Sequence, residues 1–429
     1  MLWSPARVAL AGIVVWLVMW LIAPLREMMA LNGDAMLFIG ACYLAFGVGI
    51  VVESILRNQR RPAPRTLERG PLDGRLFAIT MVLGLIGMGA RYYDRAFVRG
   101  INYSLDSAEV RSALESAAVS GWGMVGAILM PFCLIPLILM LSSNSMRSRL
   151  SLTLLALVLF IMPTLENLAQ LSRSIMFLSA AIAIAAVACL RFAGNPFRKK
   201  IVLPGLAAGV GLLFFSTLVF ETRLNDYKRE LYESVIHSVY AENIAPNDTA
   251  LAALISGSPV ESSIYGAILP NSLYYLSGMY EFTLLWERQD VQEHAYGAYM
   301  FYPVLRGFYA IAGLDAENII DEPALVYRLG VTNTFFGPLW IDFGFFSLLV
   351  MAAFGFAMGR LSYIIRNGAF GWLPLYLTLI SIIFYMPVVN FINNGFGLFF
   401  ISAFVFYGLF IGRRARRAVA REAAAVAAG

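Results

Sequence analysis

Arg328-Leu-Gly-Val-Thr-Asn333-Thr-Phe-Phe-Gly-Pro-Leu-Trp-Ile-Asp342-Phe-Gly344 carries polar and charged residues without interruption into an apolar run. It closes the one long polar interval of the chain, residues 221–332, which mixes acids, bases and aromatics between two hydrophobic segments. A charge inside a membrane span costs roughly 2.5–3.5 kcal/mol even on lenient insertion scales, so Asp342 should face a wet cavity or a partner. The stretch therefore reads as the place where a polar loop enters a membrane. Everything else in the chain reads as the scaffold that holds it.

Composition agrees. With 59% hydrophobic residues, 14% charged and a mean hydropathy of +0.72, the chain lies far from soluble domains, for which about 25% charged is usual. Apolar runs fall at about 8–23, 35–56, 76–90, 119–141, 150–164, 174–190, 201–220, 335–358, 370–389 and 395–412. Each approaches the ~20 residues that a ~30 Å hydrocarbon core requires. The first resembles a signal peptide, but hydrophobic segments continue behind it and no small-residue cleavage site follows closely, so an uncleaved helix is expected. The fold class is an all-α polytopic membrane protein of about ten transmembrane helices with a large, mostly helical periplasmic loop. It divides as helices 1–7 over 1–220, the loop domain over 221–334, and helices 8–10 with a basic tail over 335–429.

Basic residues orient the scaffold. An even number of spans puts both termini and every second loop on one side. That side collects 20 of the 32 cations but only four of the 27 acids, Glu53, Glu68, Asp73 and Glu422. Both termini are thus expected in the cytoplasm, and the long loop outside. Within that loop, Leu224, Tyr227, Leu231, Val235 and Val239 recur at helical spacing, which predicts an amphipathic helix. Residues 270–285 and 298–313 read as two more helices, with breaks at Pro246 and Gly257-Ser-Pro259. Asp106 is a plausible helix cap. Glycines 84, 87, 89, 205, 209 and 211 invite close helix packing, and prolines 131, 136, 163, 204, 374 and 387 invite kinks.

The three cysteines, Cys42, Cys133 and Cys189, all lie in apolar runs, so the polar loops hold no disulfide framework. No CxxC, HExxH, P-loop or GxGxxG pattern occurs, and no metal or other cofactor is expected.

Several residues are candidates for chemistry. Arg173, in a short outer connection, can grip a phosphate with its planar fork; it can equally be an interfacial anchor or pair with Glu166, seven residues before it. Arg223, Arg288, Arg306 and Arg328 can bind an anion only if some of them converge, since acids outnumber bases in the loop; a solvated helix face is the plainer alternative. Asp342 lines a cavity or complements the dipole of its own helix. His237 and His294 are the only histidines, too isolated for a metal site, and either can act as a base. Glu281, in Tyr274-Tyr-Leu-Ser-Gly-Met-Tyr-Glu281-Phe, has aromatic neighbours that would raise its pKa by burial.

Ten spans, one large outer loop before the last of them, and the stretch from Thr332 to Gly344 together resemble the Wzy-type polysaccharide polymerases. The arginine-rich, alanine-rich sequence also resembles exopolysaccharide enzymes of the xanthan-polymerase sort. The resemblance implies that a glycan on undecaprenyl diphosphate is transferred to a new lipid-linked repeat unit, releasing the lipid diphosphate. Arg173 and loop arginines would then stabilise the leaving group, a carboxylate or histidine would take the acceptor proton, and Asn333 and Asp342 would line the site. A chain-length regulator and a flippase of the same pathway are the implied partners, and nucleic acid is not. Two departures stand out. No loop arginine has a glycine eleven residues on, and no histidine stands near Asn333. A lipid-oligosaccharide flippase needs no such loop, and a membrane acyltransferase would be expected to place histidine in its early spans.

Overall fold

The computed structural model describes residues 3–58, 73–101, 120–142, 150–168, 174–191, 240–288, 294–314, 320, 325–326, 328, 331, 333–367, 369–393 and 396–411. The expected span at 201–220, the amphipathic helix before residue 240, the Asp106 cap, and His237 lie outside them, as do Arg173 and Arg223.

Helices α1 (Pro5–Ile22), α2 (Gly33–Asn58) and α3 (Gly74–Tyr93) open the chain. Then α4 (Gly121–Leu129) passes through a 3-10 turn into α5 (Ile135–Ser142), followed by α6 (Leu150–Leu168) and α7 (Ser174–Arg191). The polar interval contributes α8 (Asp248–Ser256), α9 (Pro259–Glu287) and α10 (Ala298–Ile311). The chain closes with α11 (Phe336–Phe343), α12 (Ser347–Arg366), α13 (Leu373–Tyr385) and α14 (Phe396–Phe406). One antiparallel ribbon, β1 (Leu25–Glu27) with β2 (Ile244–Pro246), is the only sheet among the described residues. This is an all-α, multi-pass membrane protein: six helical segments are long and apolar enough to cross a membrane, and three shorter apolar helices accompany them. The nine correspond to nine of the ten expected spans. Large apolar side chains such as Leu37, Leu44 and Leu349 point outward, as a hydrocarbon surrounding requires.

Breaks within spans are where the structure departs from the hydropathy pattern. Pro131 lies inside the 3-10 turn Met130–Leu134 and Pro136 in the first turn of α5, and neither has the N–H that a continuous α-helix would use. The run at 335–358 is two helices, since Gly344 adopts φ +51° and ends α11 after only eight residues. In the loop, α9 begins eleven residues before the expected start. Ser258 and Glu261 form a capping box around Pro259 at the first helical position, and Pro270 is absorbed inside the helix.

The axis of the bundle is α13, whose residues from Leu373 to Ile383 are nearly all buried against α1, α7, α12 and α14. Gly84 and Gly87 bring α3 against Cys133 and Met130, as the small-residue spacing anticipates. The tightest seam joins α2 to α12. A Cβ on Gly355 would strike the Phe46 carbonyl, and one on Gly49 the Ala352 carbonyl. Backbone cannot yield as a side-chain tip can. Gly355→Leu is therefore expected to cost at least the ~1–3 kcal/mol typical of overpacking, visible as a lower unfolding midpoint and less monodisperse protein in detergent, whereas Gly40→Ala, with open space around it, should change neither.

Candidate active site

Four features gather where the polar interval meets the bundle. The first is a crossing of non-helical chain. Between α13 and α14 the helix stops, and residues 386–390 run against 333–335. Phe335 N–H donates to the Met386 carbonyl at 2.9 Å and Asn390 N–H to the Asn333 carbonyl at 3.2 Å. The Asn390 amide, 5% exposed, donates to the Phe335 carbonyl at 3.3 Å. Irregular backbone at membrane depth survives only when protein satisfies it or a cavity wets it; here Asn390 supplies partners on both sides. Gly278 of α9 lets that helix approach the crossing, as a Cβ there would meet the Val388 carbonyl and the Thr334 backbone.

Asp342 is fully buried. It occupies the last turn of α11, where its own helix offers carbonyls rather than amides, so the expectation that it complements its own helix dipole is corrected. Its carboxylate instead accepts from the Tyr299 and Met300 N–H groups at 3.0 and 2.8 Å. Those are the second and third residues of α10, whose amides have no partner within that helix. Asp342 thus caps a helix more than forty positions away in sequence, with charge matching the positive end of its dipole. Tyr296 (φ +49°) and Gly297 (φ +95°) make the turn into α10, and the Ala295 and Tyr296 N–H groups donate to the Ile341 and Asp342 carbonyls, both at 3.0 Å. His294 stands at this turn, its ring edge-on to Trp340 at 6.2 Å and so close to Gly344 that no Cβ fits between them. Its buried Nδ1 has no partner among the described residues.

Glu281 and Arg328 are joined. The guanidinium grips both carboxylate oxygens, and the Asn243 amide donates to the same carboxylate at 2.7 Å. Arg328 also reaches Glu242 at 3.3 Å. Next door, Tyr280 and Trp20 donate to Glu27 at 2.6 and 2.9 Å, so α9 is stitched to the ribbon and to α1. Burial pushes the Glu281 carboxyl above the usual range, while Arg328 and Asn243 pull it back down. A carboxyl raised in the folded state binds protons that the unfolded chain has already released, so stability falls as pH rises from the unfolded toward the folded value. Arg328→Met leaves Glu281 unpaired and should cost about 3–5 kcal/mol near neutral pH. The deficit should shrink between about pH 7.5 and about pH 5, as measured by thermal unfolding at the two values. An equal deficit at both would mean that Glu281 is not the group responsible.

The remaining expected residues are dispersed. Arg288 donates to the Val326 carbonyl at 3.4 Å. Arg306 lies exposed on α10, beside Gly307, which packs on Met124 of α4.

The fourth feature was passed over in reading the sequence. After Tyr93, α3 continues as a π-helical turn, Asp94–Val98. Arg91 and Arg95, four residues apart, both engage Glu166 at the end of α6: Arg91 Nε donates to its two oxygens at 2.7 and 2.8 Å, and Arg95 pairs with the same carboxylate. Arg99 pairs with Asp94 at 2.9 Å, and Ser120 at the start of α4 donates to Asp94. The Arg91 guanidinium lies 5.4 Å above the ring of Phe396, the first residue of α14. Phe396 thereby links the arginines to the broken segment between α13 and α14. The spacing 91, 95, 99 was legible as one helix face.

Residues 279–406 match the family model described as "Putative O-antigen polymerase". No curated protein and no solved structure matches the chain. The O-antigen polymerase match supports the resemblance to Wzy-type polymerases over that segment. It starts at Met279, inside α9, and ends with Phe406, the last residue of α14. It therefore contains Glu281, His294, Asn333, Asp342 and the Asn390 crossing, but not Arg91, Arg95 or Glu166.

Proposed function

We propose that the chain polymerises lipid-linked glycan repeat units at the outer face of the bacterial inner membrane, and the observation that carries this reading is the O-antigen polymerase match at residues 279–406 on a multi-pass scaffold. The acceptor hydroxyl of a new repeat unit attacks the anomeric carbon of the growing chain. The bond from that carbon to the diphosphate breaks, undecaprenyl diphosphate leaves with the electron pair, and the hydroxyl proton passes to a base.

A departing lipid diphosphate concentrates negative charge, and fixed guanidinium forks stabilise it without reorganising. Arg173 and Arg223 are proposed for this role, with Arg288 and Arg306 guiding the glycan. His294 is the proposed base, standing at the turn that Asp342 holds. Because the Asp342 oxygens already accept from backbone amides and the Glu281 oxygens from Arg328 and Asn243, both are assigned as positioning residues. Asn333 lines the crossing. The arginines substitute for a metal, so turnover should persist in EDTA. The excess of basic residues in the alternate loops supports cytoplasmic termini; a reporter fused after residue 260 should read outside and one after residue 146 cytoplasmic.

Cells deprived of the protein are expected to accumulate single lipid-linked repeat units and lose polymer, with both restored by the wild-type chain. Unchanged polymer in the depleted cells would refute the reading.

A further inference from the structure

Arg91 and Arg95 project from adjacent turns of α3 and its π-helical extension onto one carboxylate, Glu166, which comes from a different helix. All three side chains are largely buried, at 12%, 8% and 14% exposure. Around them Tyr92, Tyr93, Phe97 and Trp122 face outward, and Tyr93 packs with Phe97 and Trp122. Exposed clustered aromatics mark the level of lipid headgroups. The convergent arginines therefore sit at the depth at which a lipid's phosphate lies.

We propose that Arg91 and Arg95 form a binding site for a lipid-linked diphosphate, closed in this structure by Glu166, whose carboxylate occupies the place of a phosphate group and is displaced when the ligand binds. The lipid and its diphosphate rest on the polymerase reading; the recognition of an anionic phosphate group rests on the geometry alone.

Two guanidiniums on one carboxylate present the planar, bidentate donors that a phosphate accepts. Arg91 is held in place by Phe396 beneath it, so little side-chain freedom remains to be lost on binding. Arg99 takes no direct part. With Asp94 and Ser120 it ties the π-helical turn to the start of α4, and π-helical turns recur at functional sites. Glu166 has a means of withdrawal. It lies three residues beyond Pro163, whose missing N–H removes one helical hydrogen bond from the turn just before it, and Asn167 donates both to the Pro163 carbonyl and to Glu166. The carboxylate, the asparagine and the proline carbonyl thus form one unit that can shift together.

The site and a merely structural ion pair predict opposite outcomes for one substitution. If Glu166 competes with the ligand, Glu166→Gln removes the charge that occupies both guanidiniums and binding tightens. If it only braces the arginines, binding weakens. The test measures binding of undecaprenyl diphosphate, undecaprenol and inorganic pyrophosphate to full-length protein in nanodiscs, without turnover. Wild type should bind undecaprenyl diphosphate at least tenfold more tightly than undecaprenol; measurable pyrophosphate binding would place the recognition in the diphosphate itself, and its absence would assign part of it to the lipid. Glu166→Gln should tighten undecaprenyl diphosphate binding about tenfold, and Glu166→Asp, with a retracted carboxylate, should tighten it in the same direction should the glutamine variant not fold. Arg91→Gln and Arg95→Gln should each weaken it at least tenfold. Weaker or unchanged binding in the folded Glu166 variants, or equal affinity for undecaprenol, would overturn the proposal. Because no polymer is formed in this assay, its failure is distinct from a failure of the polymerase reading.

Discussion

Asp342→Ala is expected to unseat α10 and abolish polymer formation. The substitution leaves the Tyr299 and Met300 amides without the carboxylate that now accepts from both, in a place too buried for water to replace it. An unsatisfied buried donor costs about 1–3 kcal/mol, and two are created. Asp342→Asn separates this role from acid–base chemistry. Its amide has one acceptor oxygen, so one of the two N–H groups faces an NH2 and loses its bond, at a cost of about 1–3 kcal/mol. Hydrogen exchange at residues 299 and 300 should accelerate in the asparagine variant, and turnover should fall in parallel. Native exchange at those amides with turnover abolished would mean that Asp342 moves a proton instead.

Arg91→Lys is expected to lower polymer turnover by a factor on the order of 10² while leaving expression near normal. Lysine keeps the charge but replaces the planar guanidinium, which donates through Nε while lying over Phe396, with a compact ammonium that lacks the fork matching phosphate oxygens. Arg26→Lys is the control, because Arg26 and its partner Asp248 are both exposed and a solvated surface pair loses little by the exchange. The loss at Arg91 should appear mainly in kcat when the donor lipid is saturating, since leaving-group stabilisation is exerted most strongly in the transition state. Equal turnover in the two variants would remove Arg91 from the reaction.

Hydropathy made the spans legible because the bilayer demands length and apolarity, and both can be counted. It could not show where a span breaks. Gly344 and the turn at 386–390 lie among apolar residues, and their backbone conformation is decided by partners far away in the chain: the His294 ring above Gly344 and the Asn333 and Phe335 carbonyls beside Asn390. The ribbon was illegible for the same reason, since Leu25, Arg26 and Glu27 form a strand only because residues 244–246 pair with them. Asp342 was conspicuous as a charge in an apolar run, yet its partners are backbone amides, which leave no mark in a sequence. Glu281 was correctly read as a carboxyl raised by burial, from the aromatics around it, whereas its pairing with Arg328, 47 residues on, was beyond local reading. Arg91 and Arg95 were visible at a spacing of four, but the carboxylate they share, Glu166, lies 75 positions from Arg91 and leaves no local mark.

The central claim is that this chain alone joins lipid-linked repeat units. Purified protein in nanodiscs, supplied with a single undecaprenyl-diphosphate-linked repeat unit in EDTA, tests it most directly. The account predicts a ladder of lengthened lipid-linked glycans, with one undecaprenyl diphosphate released for each unit added. Repeat units that remain single, with no undecaprenyl diphosphate released by protein shown to be folded, would contradict it.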